Sequence, residues 1–160
     1  MAMMNRTIRM LAALSLAAAA ISTALAAEMP IEMKGCLVTE SSVLDKVGEV
    51  TIGSNVTRGN VDVTGGQSDK MTHDCRVVWS ASKAGVEFTN RCIFVDKDGD
   101  KTISMATGTP KSFQWKYLSG SGKFQGITGS GTAEIVTRYP SSGNVNVSCW
   151  QGRGTYTLNK

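Results

Sequence analysis

Three carboxylates at alternate positions, Asp96, Asp98 and Asp100, and a single histidine, His73, are the side chains with the most chemistry to offer. The D-x-D-x-D spacing opens a calcium-binding loop of the EF-hand type. That loop requires glycine at its sixth position and a bidentate acid at its twelfth, where this chain has Lys101 and Thr107. Asp98-Gly99 is also a strong hairpin-turn dipeptide, and Lys97 and Lys101 offset the charge. A turn is the first reading, with a three-acid ion site behind it. His73 is the one side chain that ordinarily titrates near neutrality. Its neighbour Asp74 should point to the opposite face of a strand, so no acid orients the ring. A lone histidine of this kind is more often structural than catalytic. No Gly-x-Ser-x-Gly nucleophile motif is present, and Gly120-Ser121-Gly122-Lys123 lacks the spacing of a phosphate loop. The pair Met29 and Met33 has no nearby histidine to complete a copper site. No cofactor is implied.

The elements that must position these residues are almost all β. Phe113 to Tyr117 alternates strictly, with three aromatics on one face and Gln114 and Lys116 on the other. Val145 to Cys149 and Ile103 to Met105 alternate too. Turn signals separate the runs at Gly65-Gly66, Ala84-Gly85, Asp98-Gly99, Gly108 to Pro110 and Pro140 to Gly143. The only helical stripe is the short Ser41 to Val47. Strands at this spacing predict an antiparallel sandwich or barrel. The run from Gly120 to Thr132 sets five glycines among small, β-branched and aromatic residues. Glycine inside a strand pattern marks bulges, bends or close backbone approach, the means by which a sheet curls.

One hairpin can be registered. Pairing the strand around Val77-Val78-Trp79 with Val86 to Phe94, through a turn at Ser82 to Gly85, sets Cys75 opposite Cys92 and Trp79 opposite Phe88. Both couples fall on one face with Val77, Val86 and Phe94, and His73 falls opposite Phe94 near the hairpin's end, where a barrel mouth would lie. The register predicts a Cys75–Cys92 disulfide, worth about 3 kcal/mol on a chain-entropy model. Cys36 is then left to bond Cys149, tying the first strand to the last, unless both stay buried free thiols. The aromatics Trp79, Phe88, Phe94, Trp115 and Tyr117 line a lumen or fill it. In a small barrel filling is the default.

Residues 1–26 read as a signal peptide: Arg6 and Arg9, an apolar run rich in alanine and leucine, then Ala24-Leu25-Ala26 as the small-x-small cleavage site. Such a signal suggests a bacterial envelope, which discounts the glycosylation sequons at Asn55 and Asn146. Cleavage would leave residues 27–160 as a single domain with no membrane span. Loss of Arg6 and Arg9 reduces the 17 basic residues to 15 against 13 acids. That balance is too slight to indicate nucleic acid as a partner, and nothing in the chain fixes an oligomeric state. An even cysteine count with no C-x-x-C fits export and disulfides better than metal.

The aromatic strand with Trp115 and Tyr117, followed by Gly-Ser-Gly-Lys-Phe-Gln-Gly-Ile-Thr-Gly-Ser-Gly-Thr, resembles a motif of small exported bacterial proteins of the allene oxide cyclase-like barrel group, a fold shared with plant dirigent proteins. Ser121 stands where the usual pattern has threonine. The resemblance extends to Cys92 through Lys101 and to Trp150-Gln151-Gly152, while residues 27–70 add little. It implies an all-β, single antiparallel barrel of about eight strands, with a lumen able to hold a small apolar ligand. Plant members are cyclases or guide phenoxy-radical coupling, but their catalytic side chains find no counterpart here. The leading expectation is a non-enzymatic exported barrel, periplasmic or secreted, that binds a small apolar or amphiphilic molecule or serves as an envelope module. The alternatives are a cyclase or isomerase using His73 or a lumenal carboxylate, and a protein–protein module acting through its loops.

Overall fold

Period-2 alternation decides which side chains of each strand meet the interior. In a computed structural model describing residues 27–140 and 142–159, eight strands alternate in this way. They are β1 Met29–Val47, β2 Val50–Thr64, β3 Lys70–Ser82, β4 Gly85–Asp96, β5 Lys101–Thr109, β6 Ser112–Gly120, β7 Ile127–Arg138 and β8 Val145–Leu158. Each pairs with its sequence neighbour and β8 pairs antiparallel with β1, closing an eight-stranded barrel. The fold is the one the resemblance implies. The signal peptide read at residues 1–26 lies outside the described residues.

The registered hairpin holds residue for residue: Cys75 faces Cys92, Trp79 faces Phe88 and His73 faces Phe94. Both expected disulfides form, Cys75–Cys92 and Cys36–Cys149. They lie on opposite sides of the wall. Cys75 and Cys92 are buried and face the lumen, whereas Cys36 is exposed on the outside, at the seam where β1 meets β8.

Ser41–Val47 is extended, not helical, as the distal part of β1. Its apolar spacing comes from a bulge between Val43 and Asp45, which inserts one residue into the alternation and puts Val43, Leu44 and Val47 at helix-like intervals. Backbone pairing with β2 decides the conformation.

The two ends of the barrel differ. At one, loop 65–69 and the 3-10 turn Gly122–Phe124 fold inward, burying Ser68 and Phe124, and the Tyr156 hydroxyl donates to the Gly65 carbonyl at 3.3 Å. The core of Ile31, Met33, Val61, Trp115, Ile127 and Tyr156 packs above this plug. At the other end the β1–β2, β3–β4 and β5–β6 turns are two residues each, and the lumen reaches the exposed Val86 and Arg138.

The glycines of the Gly120–Thr132 run serve close approach. Gly131 pairs with Trp115 on one side and Gly154 on the other, and the Trp115 ring lies across both glycines. The aromatic thus covers backbone where the wall has no side chains of its own.

Candidate functional site

The alternation leaves an apolar cavity of about 390 Å³ inside the barrel, running from the plug to the open mouth. All five aromatics singled out from the sequence, Trp79, Phe88, Phe94, Trp115 and Tyr117, sit on its wall. They line the space without filling it, and the two indoles among them lie against glycine backbone, Trp79 over Gly53 of β2 and Trp115 over Gly131 and Gly154. Phe88 meets Phe113 edge-on with centroids 5.3 Å apart, and Trp115 meets Tyr117 at 5.2 Å. Burial pushes the Tyr117 phenol up to about 12, so its hydroxyl keeps its proton at any physiological pH.

His73 is brought into this space, at its closed end and not at the mouth, because β3 begins beside the inward-folded loop 65–69. Its ring packs against Phe94 at 5.5 Å and Trp150 at 6.2 Å. Desolvation lowers its pKa from 6.5 to about 4, with Asp74 opposing the shift only in part. Asp74 points outward, as expected, and pairs with Arg58 at 2.9 Å and with Arg76.

The lowered value has a measurable consequence. Between pH 6.5 and 4 the unfolded chain takes up a proton on His73 that the folded chain refuses, so stability falls as pH drops through that window. At about 1.4 kcal/mol per unit, the loss approaches about 3 kcal/mol. Urea unfolding of His73→Gln across the same range is expected to lack this slope. An unchanged slope would assign the acid sensitivity elsewhere.

Among the described residues, three buried polar atoms of the wall have no hydrogen-bond partner: His73 Nδ1, Thr102 Oγ1 and Trp115 Nε1. His73 and Thr102 flank Phe94 in the strand register. Some of the other lumenal polar groups are paired: Trp79 Nε1 donates to Asn55 Oδ1 at 2.7 Å, and the Ala106 amide donates to Asn90 Oδ1 at 2.9 Å. A buried polar atom left unpaired costs about 1–3 kcal/mol, so such atoms normally meet something.

Asp96, Asp98 and Asp100 form a turn. Asp96 Oδ1 accepts the amides of Asp98 and Asp100 at 2.8 and 3.0 Å, and Gly99 takes a positive φ of 83°. Lys123 reaches from the 3-10 turn to Asp98 at 2.8 Å and to Asp96, while its amide donates to Asp100 Oδ2 at 3.2 Å. Burial opposes ionisation of Asp96, yet Lys123 and the two amides outweigh it and hold the carboxyl below its usual range. Hydrogen bonds from Lys123 and Lys97 lower Asp98 to about 2. These acids latch the plug to the wall. Among the described residues no three metal-ligating side chains converge.

The alternation of Val145 to Cys149 does not say which set faces in. Asn146 and Ser148 do, forced by the register that sends Trp150 inward and Cys149 outward. With Thr39, Asn55 and Thr57 they form a polar sector that the sequence alone did not reveal.

No protein-family model matches this chain, and no curated protein does. Among solved structures it is similar to the pterocarpan synthase dirigent protein GePTS1, with a TM-score of 0.50 and 9% identity over 84% of this chain and 94% of that one. At that identity the likeness shows the fold alone.

Proposed function

We propose that this chain is an exported barrel of the dirigent-like and allene oxide cyclase-like kind that binds a small apolar or amphiphilic molecule in its lumen, without itself doing chemistry. The observation that carries this reading is an apolar cavity of about 390 Å³ whose wall holds three buried, unpartnered polar atoms. Ligand sites characteristically combine such a cavity with a few polar groups that fix orientation. Two disulfides favour an oxidising compartment, and residues 1–26, read as a signal, would deliver the barrel there. Outward positions mix charges such as Arg58, Asp74 and Arg76 with exposed valines and isoleucines, while the packed interior core is apolar.

A cyclase or isomerase is the second reading, favoured by the unpartnered His73 Nδ1 deep in the lumen. By its name the dirigent neighbour is a pterocarpan synthase, so that barrel serves small-molecule chemistry. Among the described residues no carboxylate lines the cavity to work with the histidine, which favours binding over reaction.

All three tryptophans, Trp79, Trp115 and Trp150, line the lumen, so intrinsic fluorescence reports occupancy. Titration with decanol is expected to give a saturable change. No change up to its solubility limit would count against the reading.

A further inference from the structure

We propose that the lumen's ligand is an organic anion, its charged group held at the mouth by Arg138 and its apolar body lying against the aromatic wall. This rests on reading the lumen as a ligand site.

The first observation is the charge of the lining. Among the described residues, apart from His73, which is neutral at pH 7, Arg138 is the one basic side chain bordering the cavity, and no aspartate or glutamate borders it. Among the described residues no carboxylate lies within ion-pair distance of Arg138. A guanidinium keeps its charge at all relevant pH values and presents a planar fork that matches a carboxylate with two parallel hydrogen bonds.

The second observation is how the arginine reaches the lumen. Ile135 faces in, so strict alternation would turn Thr137 inward and Arg138 outward. A bulge between Ile135 and Thr137 reverses this: Thr137 pairs with Cys149 on the outer face, and Arg138 pairs with Ser148 on the inner one. Bulges of this kind re-aim a side chain, and here the residue re-aimed is a cation at the rim of an apolar cavity.

The third observation is the company Arg138 keeps. Ser148 is its cross-strand partner; Asn146 pairs with Thr39, and Thr39 with Thr57. Hydroxyls and amides thus gather on β8, β1 and β2 beside the arginine. On β3, β4 and β6 the wall presents Val77, Trp79, Phe88 and Phe113. The lumen is amphipathic around its circumference, and its polar side is positive.

The test compares decanoate, decanol and decylamine, which share one tail, by tryptophan fluorescence at pH 7.5 and low salt. Decanoate is expected to bind at least tenfold more tightly than decanol, with decylamine weakest. Arg138→Gln should bring decanoate down to decanol's affinity, while Arg138→Lys should keep part of the preference. Binding of decanol with no preference for decanoate, or a preference that survives Arg138→Gln, would overturn the anion assignment and leave the lumen reading standing. Failure of all three to bind would overturn both.

Discussion

Replacing Cys36 and Cys149 together by alanine is expected to remove about 5 kcal/mol of folding stability, against about 3 kcal/mol for the Cys75/Cys92 pair. The difference follows from loop size. Cys36–Cys149 spans 113 residues and Cys75–Cys92 only 17, so the longer bridge takes more freedom from the unfolded chain. It also sits at the closure seam, where β1 and β8 must find each other from the two ends of the domain. Cys36 is exposed, so the alanine leaves little void there and the effect reads as chain constraint. With total stabilities of about 5–15 kcal/mol for ordinary domains, the seam variant should lie near its unfolding threshold. Equilibrium urea unfolding of both double variants is the check. Equal losses, or the larger loss at Cys75/Cys92, would contradict the assignment.

Gly131→Ala is expected to cost at least about 3 kcal/mol, large for the addition of one methyl group. A Cβ at that position would run into the Arg153 carbonyl and come within 2.6 Å of the Trp115 ring and 2.8 Å of Gly154 Cα. Two of those neighbours are backbone, which cannot rotate away, and Trp115 is buried in the core. The barrel must then open its β6–β7–β8 curl or expel the indole, and either exposes apolar wall. Ser130→Ala, outward-facing on the same strand, should be nearly neutral in the same urea experiment. A loss below about 1 kcal/mol for Gly131→Ala would mean that the glycine run is not what sets the curvature.

What could be read in advance depended on whether period 2 ran unbroken. The β3–β4 hairpin was legible because one register satisfied a cysteine pair and an aromatic pair at once. Where a bulge inserts a residue, the alternation changes phase and the reading fails. At Leu44 this made the end of β1 look helical, and at Val136 it concealed that Arg138 faces the lumen. The polar wall was hidden for another reason. Val145 and Val147 invite an inward reading, and only the β1 pairing turns them out and Asn146 and Ser148 in. His73 was placed on the correct face but at the wrong depth, because nothing local says which end of a barrel its loops will close. Whether the aromatics line or fill the lumen likewise rests on glycines of other strands, Gly53 beneath Trp79 and Gly131 and Gly154 beneath Trp115.

The most direct measurement is the decanol titration run in parallel on the wild type and on Val77→Phe, read by tryptophan fluorescence. Val77 faces the lumen on β3 beside Cys75, and a phenyl ring there would project into the cavity on a strand that accepts aromatics readily. The wild type should bind saturably, and the variant should lose binding at least tenfold while keeping its urea midpoint. Equal binding by the two proteins would place decanol outside the lumen and contradict the account.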